Sequence, residues 1–230
     1  MVFSGAEDER EQHNLHRWSS TSSQAFMNRN PSSFFRDITP FEVLRTLALP
    51  SLLEQRAKSR KLRVLSAVCA AGQEAYSIGL TLAKHFPELA DWDIQVLGLD
   101  PSEELLETAR SGAYSQLVVQ RGLPAMLLIQ YFERAGHLWA IKDPPKSWVD
   151  FECTDVTQEE PGSGPFDVIF LANVLSKVDV DIHSQILDRL AGVMASDGFL
   201  LVGSGEGELL SSSPFVRIED SRAPIFRLRS

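Results

Sequence analysis

Short apolar runs alternate along this chain with longer segments in which apolar residues recur every three or four positions. Short runs predict buried strands, and segments with the longer period predict amphipathic helices. The clearest succession is a strand, a small-residue loop, a helix and a second strand that ends on an acid: RVLSAV at 63–68, CAAGQE at 69–74, AYSIGLTLAKHF at 75–86, and IQVLGL at 94–99 followed by Asp100.

The pattern continues on both sides of this unit. Ser102 is predicted to cap a helix that opens with Glu103 and Glu104, because acids suit the positive end of a helix. The loop Ser204–Gly207 could contact a substrate, but we predict a solvated turn, which is the more common meaning of such a stretch. Further helices are expected at 34–58, at 125–134 and from residue 179 or 181, and further strands at 137–141, 148–151, 167–171, 199–203, 215–219 and 225–229. This order predicts an α/β fold with a mostly parallel sheet and a C-terminal antiparallel hairpin.

The chain has 230 residues, 43% of them hydrophobic, which is enough for one domain with a substantial core. Residues 1–29 are polar and are predicted to be a tail. Residues 30–60 are predicted to be a helical segment that Pro50 interrupts. Residues 61–230 are predicted to form the sheet domain, with a small β-insert near 137–151.

Charge and composition exclude several classes of function. The formal net charge of −9 argues against a nucleic-acid-binding surface, because such a surface needs an excess of Lys and Arg. No apolar run is long enough for a membrane span, and the polar N-terminus does not resemble a signal peptide. Cys69 and Cys153 have neither disulfide-framework nor zinc-site spacing. We therefore expect a cytoplasmic protein that binds no nucleic acid and no metal and does not insert into a membrane.

The strand–loop–helix–strand unit is typical of a nucleotide site. A helix N-terminus favours negative charge, and an acid at the next strand tip can accept both hydroxyls of a ribose. An NAD site would have G-x-G-x-x-G and an acid about 20 residues on, whereas this loop has Gly72 alone and Asp100 lies further away. S-adenosylmethionine has a ribose but no pyrophosphate, so it is the favoured cofactor, and an NAD-dependent oxidoreductase is the less favoured alternative.

Four segments in order resemble motifs of the CheR-type chemotaxis receptor methyltransferases. They are NPSSFFRD at 30–37, SAVCAAGQEAYSIGL at 66–80, GLDPSEELLETARSGAY at 98–114 and GPFDVIFLANVLSKVD at 164–179. The resemblance extends over about residues 30 to 230. It implies a class I, Rossmann-like methyltransferase fold and the methylation of glutamate carboxylates in proteins, with S-adenosyl-L-homocysteine as the product.

The resemblance also implies the residues of the site. Those expected to bind the cofactor are Asn30, Ser32, Arg36, Gly72, Glu74, Asp100, Asp155, Val156 and Asn173. Glu74 would face the cofactor's ammonium group and Asp100 its ribose. Asp155 and Val156 would meet the adenine.

Three residues are expected to take part in catalysis: Arg36, Asn173 and Lys177. The family's R-N-V-x-x-Y is Ala172-Asn173-Val174-Leu175-Ser176-Lys177 here, so Ala172 replaces an arginine and Lys177 replaces a tyrosine. Arg36 would then face the incoming carboxylate, which suits the guanidinium fork. Lys177 would supply a second positive charge.

Two functions remain open on the sequence. The first is a CheR-like enzyme of cytoplasmic signal transduction that acts on a protein substrate or signalling partner. The second is a regulatory module that binds S-adenosylmethionine or S-adenosylhomocysteine without turnover, which Ala172 and Lys177 favour. Only about 30 residues precede the FFR segment and the β-insert is short, so we expect no strong binding of a receptor tail peptide.

Overall fold

The computed structural model describes residues 32–162, 164–211, 213–219 and 224–229. The predicted tail 1–29 and Asn30 therefore lie outside the described residues. The strands in the described ranges are β1 Lys61–Ser66, β2 Asp93–Asp100, β3 Ala113–Ser115, β4 Phe132–Ala135, β5 Leu138–Ile141, β6 Val149–Cys153, β7 Phe166–Leu171, β8 Met194–Val202, β9 Phe215–Arg217 and β10 Ile225–Leu228.

Seven of these strands form the main sheet, in the order β6-β2-β1-β7-β8-β10-β9. The pairs from β6 through β8 are parallel, and β10 is antiparallel to both of its neighbours. The predicted fold class, a mostly parallel α/β sheet with a C-terminal antiparallel hairpin, is confirmed. The strand order places β1 in the interior, with β2 and β7 on either side of it.

The helices in these ranges are α1 Ile38–Val43, α2 Leu49–Arg56, α3 Gln73–His85, α4 Glu103–Ser111, α5 Gln116–Val119, α6 Ala125–Tyr131, α7 Pro145–Trp148 and α8 Val180–Gly192. Most of the helices correspond to segments that the sequence predicts to be helical, whereas α5 and α7 are short helices that it does not predict. Ser102 caps α4 by accepting the Leu105 N–H at 3.4 Å, and Gly112 ends it with φ of 61°. None of the helices in this part of the chain has the length and apolar content that crossing a membrane requires.

Apolar side chains fill both faces of the main sheet. Neighbouring residues of a strand point to opposite faces, so Leu62 and Val64 of β1 pack in the layer of α1, α2 and α3, while Leu65 packs in the layer of α8. All six residues of β7 are buried. The unbroken apolar run in this strand is therefore the consequence of helices covering both faces of a parallel sheet.

The sequence predicts that Pro50 interrupts the N-terminal helix. In the structure, Pro50 instead lies inside a continuous helical stretch. A π-helical segment, Leu44–Ala48, precedes α2, and Pro50 lies in the first turn of α2. Proline has no N–H to donate, and its ring crowds the preceding turn of a regular helix. The wider π turn accommodates both effects, so the predicted interruption is a local change of helix geometry.

A second sheet of three short strands has the order β3-β5-β4. The sequence predicts a helix as far as Arg134, whereas α6 ends at Tyr131 and the next four residues form β4. Opposite Arg134 in the small sheet stands Trp139, and the guanidinium carbon lies 4.1 Å from the centroid of its ring. An analysis of helical periodicity does not detect this cross-strand pair. The predicted helix is for this reason longer than the observed one.

The expected β-insert near 137–151 has different bounds in the structure. The small sheet already starts at Ala113, because β3 pairs with β5. Residues 149–153 do not belong to it, since β6 pairs in parallel with β2 at the edge of the main sheet. The two predicted strands at 137–141 and 148–151 are thus separated into different sheets.

Arg56 connects α2 to two strands of the main sheet. Its Nε donates to Asp167 Oδ1 at 2.9 Å, and its two terminal nitrogens donate to the carboxylate of Asp197 at 2.7 and 2.6 Å. Asp167 is buried, and its other oxygen accepts the N–H of Arg63 at 2.8 Å. Asp167 lies at the amino end of β7. This cluster therefore holds α2 to the amino end of the parallel strands, opposite the end that carries the loops described below.

We expect Arg56→Ala to lower the free energy of unfolding by about 2–3 kcal/mol, because it leaves the buried Asp167 carboxylate without its cation. Urea unfolding at pH 7 measures the change. Arg45→Ala is the matched control, since its exposed pair with Glu42 should contribute less than about 0.5 kcal/mol. Equal losses in the two variants would contradict the structural role of Arg56.

Candidate functional site

The loop between β1 and α3 has a conformation that few residues adopt. Ala70 and Gly72 both have positive φ, at 50° and 85°, a region that is costly for residues other than glycine. A Cβ at position 72 would lie only 2.8 Å from the Cβ of Ala109. The hydroxyl of Tyr114 donates to the carbonyl of Ala71 at 2.8 Å, so the loop is also fixed from outside.

Asp100 lies at the tip of β2, next to this loop. It is 1% exposed, and its two carboxylate oxygens accept the N–H groups of Ala70 at 2.9 Å and Ser102 at 3.0 Å. Burial raises the pKa of Asp100 to about 6 despite these two bonds, and the nearby Asp155 adds to the rise. Each oxygen keeps a second lone pair, so the carboxylate can still accept two hydroxyl groups of a ligand.

Glu74 lies in the first turn of α3 and accepts the hydroxyl of Ser66 at 2.7 Å. Burial raises the pKa of this carboxyl to about 7, although the bond from Ser66 lowers it. The neighbouring Glu206 raises the pKa of Glu74 further, while Arg36 and Lys177 lower it. The carboxylate would be stabilised by a ligand that brings a positive charge to this position.

The turn after β7 carries Asn173, whose φ of 60° is positive. Its N–H donates to Glu206 Oε2 at 2.6 Å, and the N–H and hydroxyl of Ser176 both donate to Glu206 Oε1 at 2.9 Å. The sequence predicts a solvated turn at Ser204–Gly207, and this is wrong for Glu206, which is only 2% exposed. No periodic pattern reveals it, because Asn173 and Ser176 lie 33 and 30 residues away in the sequence.

Arg36 precedes α1 in a segment that is bonded to the rest of the site. The next residue, Asp37, accepts the N–H of Ser204 at 2.7 Å and its hydroxyl at 2.7 and 2.9 Å. The N–H of Phe35 donates to Ser77 Oγ of α3 at 3.1 Å. Arg36 itself is exposed, so its backbone is fixed while its side chain remains open to solvent.

Charged side chains from four parts of the chain act on one another here. Burial lowers the pKa of Lys177, as does the charge of Arg36, whereas Glu206 and Glu74 raise it. The structure therefore brings two of the three expected catalytic residues, Arg36 and Lys177, within electrostatic range of Glu74. The third expected catalytic residue is Asn173. Its N–H donates to Glu206, which also accepts the N–H of Ser176, the residue before Lys177.

All of the expected cofactor contacts stay predictions, and the geometry adds little for Asn30, Ser32, Asp155 and Val156. Asn30 lies outside the described residues, and Ser32 is half-buried. The Asp155 carboxylate accepts the N–H and hydroxyl of Thr157 at 2.9 and 2.7 Å, so it caps its own turn. Val156 is 2% exposed, and its side chain packs in the apolar layer.

These features fit S-adenosylmethionine. Asp100 can accept a ribose diol, and Glu74 can neutralise an ammonium group. Gln73 Oε1, beside Gly72, is buried and has no hydrogen-bond partner in the described part of the protein. Among the described residues, no group of three or more His, Cys, Asp or Glu is placed to hold a metal ion.

Comparisons with known proteins agree with this geometry. Residues 30–219 match the family model described as "CheR methyltransferase, SAM binding domain". The chain is similar to "Chemotaxis protein methyltransferase 1" of Pseudomonas aeruginosa, with 33% identity over 78% of this chain and 67% of that protein. It is 31% identical to "Chemotaxis protein methyltransferase" of Vibrio parahaemolyticus, over 88% of this chain and 74% of that protein.

Solved structures with low sequence identity also match. One is the N-methyltransferase NodS from Bradyrhizobium japonicum in complex with S-adenosyl-L-homocysteine, at 17% identity and a TM-score of 0.46, covering 91% of this chain and 99% of that one.

We expect Asp100→Ala to weaken binding of S-adenosylhomocysteine about 10- to 100-fold, since hydrogen bonds to a charged group contribute roughly 1.5–3 kcal/mol. Isothermal titration calorimetry measures the change. Asp91→Ala, which removes an exposed carboxylate after α3, is the control and should leave the affinity unchanged. Parental affinity in Asp100→Ala would exclude a ribose contact.

The affinity for S-adenosylhomocysteine should rise with pH, by up to about tenfold between pH 6 and pH 8. The Glu74 carboxyl has a pKa of about 7 in the free protein, and an ammonium group prefers its ionised form, so binding releases a proton. Calorimetry in two buffers with different ionisation enthalpies measures both quantities. Glu74→Gln should abolish the proton release above pH 6, and a flat pH profile in the parent protein would refute the assignment.

Proposed function

The chain belongs to the CheR methyltransferase family, and we propose that it transfers a methyl group from S-adenosylmethionine to a glutamate carboxylate of a protein. One observation supports this acceptor most directly. Arg36 and Lys177, from distant parts of the sequence, both act electrostatically on Glu74 at the candidate cofactor site. Cations in this position can attract and orient an anionic acceptor.

S-adenosylmethionine supplies a methyl group on a positively charged sulfur. The acceptor carboxylate oxygen attacks the methyl carbon in line, the new C–O bond forms as the C–S bond breaks, and the electron pair remains on the sulfur. A glutamate carboxylate is already ionised at neutral pH, so the reaction needs no strong general base. The protein's contribution is then the positioning of two reactants and the placement of charge.

We assign the following roles to this chain's residues. Asp100 holds the ribose and Glu74 holds the ammonium group, which fixes the position of the methyl group. Arg36 binds the acceptor carboxylate through its guanidinium fork. Lys177 supplies a second positive charge, and Asn173 borders the reacting methyl group.

The acceptor is a protein of a signalling system, as the names of the curated relatives suggest. The edge strand β4 has only four residues and offers few main-chain hydrogen bonds to an added strand. We therefore propose that a receptor tail peptide does not bind strongly and that other surfaces recruit the acceptor. An exposed free thiol at Cys153 suits a cytoplasmic location.

Radiolabelled methyl transfer tests this function. The parent protein, with labelled S-adenosylmethionine, should label a protein in a panel of receptor cytoplasmic fragments, and the label should be lost in base, as expected for a carboxyl ester. Arg36→Ala should lower kcat about 100-fold with little change in cofactor affinity, because its contact with the acceptor strengthens in the transition state. Arg45→Ala, which removes only the exposed ion pair with Glu42, should have the same kcat as the parent protein.

One combination of results would refute the hypothesis that the protein is an enzyme. It would be overturned if the cofactor bound tightly, no acceptor were labelled, and Ala172→Arg combined with Lys177→Tyr restored labelling. In that case a module that senses the cofactor without turnover would replace it. A base-stable label would instead retain methyl transfer and exclude a glutamate ester.

A further inference from the structure

Glu206 is a buried carboxylate with an unusual set of partners. Its Oε2 accepts the N–H groups of Asn173 at 2.6 Å and Gly203 at 3.0 Å. Its Oε1 accepts the N–H and the hydroxyl of Ser176, both at 2.9 Å. The residue is 2% exposed, and burying a charge is costly unless it is well hydrogen-bonded. Four donors on one carboxylate meet that requirement.

These bonds connect two loops that follow neighbouring strands. Glu206 lies after β8, whereas Asn173 and Ser176 lie in the turn after β7. A Cβ added at Gly203 would lie 2.8 Å from Glu206 Oε2 and 3.0 Å from the nitrogen of Asn173. The two loops are thus packed so closely that the carboxylate defines the path of the turn.

The turn held in this way contains two of the proposed catalytic residues. Asn173 keeps its positive φ of 60° while its N–H is bonded to Glu206, and such strain persists only where the surroundings enforce it. Lys177 follows Ser176 directly, so the position of its backbone depends on the same carboxylate. The negative charge of Glu206 also acts on Lys177 and on Glu74.

We propose that Glu206 is a positioning residue for methyl transfer, which holds the turn from Asn173 to Lys177 in the geometry that the acceptor requires. This inference rests on the proposed function above. Glu206 does not touch the reactants in this account. It acts through Asn173 and Lys177, because its hydrogen bonds to Asn173 and Ser176 fix the turn that carries both residues.

Glu206→Gln is the sharpest test, because it keeps the size of the side chain. One oxygen remains to accept one pair of donors, but the new amide group cannot accept the other pair of hydrogen bonds. Glu208→Gln is the matched control, since Glu208 is an exposed acid two residues further on. It removes the same formal charge from the same loop without breaking the bonds to Asn173 and Ser176.

We expect Glu206→Gln to lower kcat for the labelled acceptor about 10- to 100-fold, because small misplacements of reacting groups are costly. The KM for the acceptor and the affinity for S-adenosylhomocysteine should stay within about threefold of the parent. Amide hydrogen exchange should become faster in the peptide that contains residues 173–176 and stay unchanged in β1 and β2. Glu208→Gln should resemble the parent in every measurement.

Ser176→Ala provides a milder second variant in case Glu206→Gln fails to fold. It removes a single hydroxyl donor, and we expect a smaller loss of kcat, about threefold, with unchanged cofactor affinity. The proposal is overturned if Glu206→Gln turns over at the parental rate or, where Glu206→Gln does not fold, if Ser176→Ala does so. It is also overturned if the loss of kcat matches an equal loss of cofactor binding and faster exchange throughout the sheet, which would show a role in stability alone.

The two proposals fail differently. If the parent protein labels an acceptor and Glu206→Gln does so at the same kcat, the positioning role fails and the proposed function stands. If the parent labels no acceptor, the proposed function fails and the positioning role falls with it.

Discussion

The parallel pairing of β1 with β2 on one side and β7 on the other is the constraint on which the site depends. Parallel strands end at the same edge of a sheet, so the loops that follow them meet there. The register pairs Ser66 with Gly98 and with Phe170. This register brings the loop between β1 and α3, Asp100 and the turn at Asn173 to the carboxyl end of the parallel strands. The apolar layers on both faces fix this register, because a one-residue slip would turn each layer outward.

The chemistry of the site comes from charges that are only partly removed from water. Burial raises the pKa values of Asp100 and Glu74 to about 6 and about 7, so the free protein carries these carboxylates at some cost. A cationic ligand repays that cost at Glu74, and Arg36 and Lys177 balance the remaining negative charge. This arrangement of charges suits the reaction that we propose, in which a positive cofactor meets a negative acceptor.

The loop after β8 links the two sides of the candidate site. Ser204 donates to Asp37, beside Arg36, and Glu206 accepts from the turn of Asn173. Neither bond contributes apolar burial, and both join segments that are more than 25 residues apart. The small sheet also contacts the site, because the hydroxyl of Tyr114 in β3 donates to the carbonyl of Ala71 in the loop after β1.

Sequence patterns predicted the strands of the main sheet and most of the helices in their order, but not α5, α7, β3 or β4. The apolar periods located β1, α3 and β2, Ser102 marked the start of α4, and four short motifs indicated the family. These signals are local, because each depends on neighbours within a few residues along the chain. Local signals also identified Gly72 and Asp100, since a tight loop and a strand tip have recognisable patterns.

Only the tertiary structure decided which polar groups meet. The role of Glu206 depends on donors 30 and 33 residues away, and its surrounding sequence is that of an ordinary solvated turn. The pairing of Arg134 with Trp139 turned a predicted helix into β4, and the π turn before α2 accommodated Pro50. The bonds to Glu206 join segments that are distant in the sequence, whereas the Arg134–Trp139 pair and the π turn join residues only a few positions apart. In each case the three-dimensional geometry decides the outcome, and the apolar pattern does not contain it.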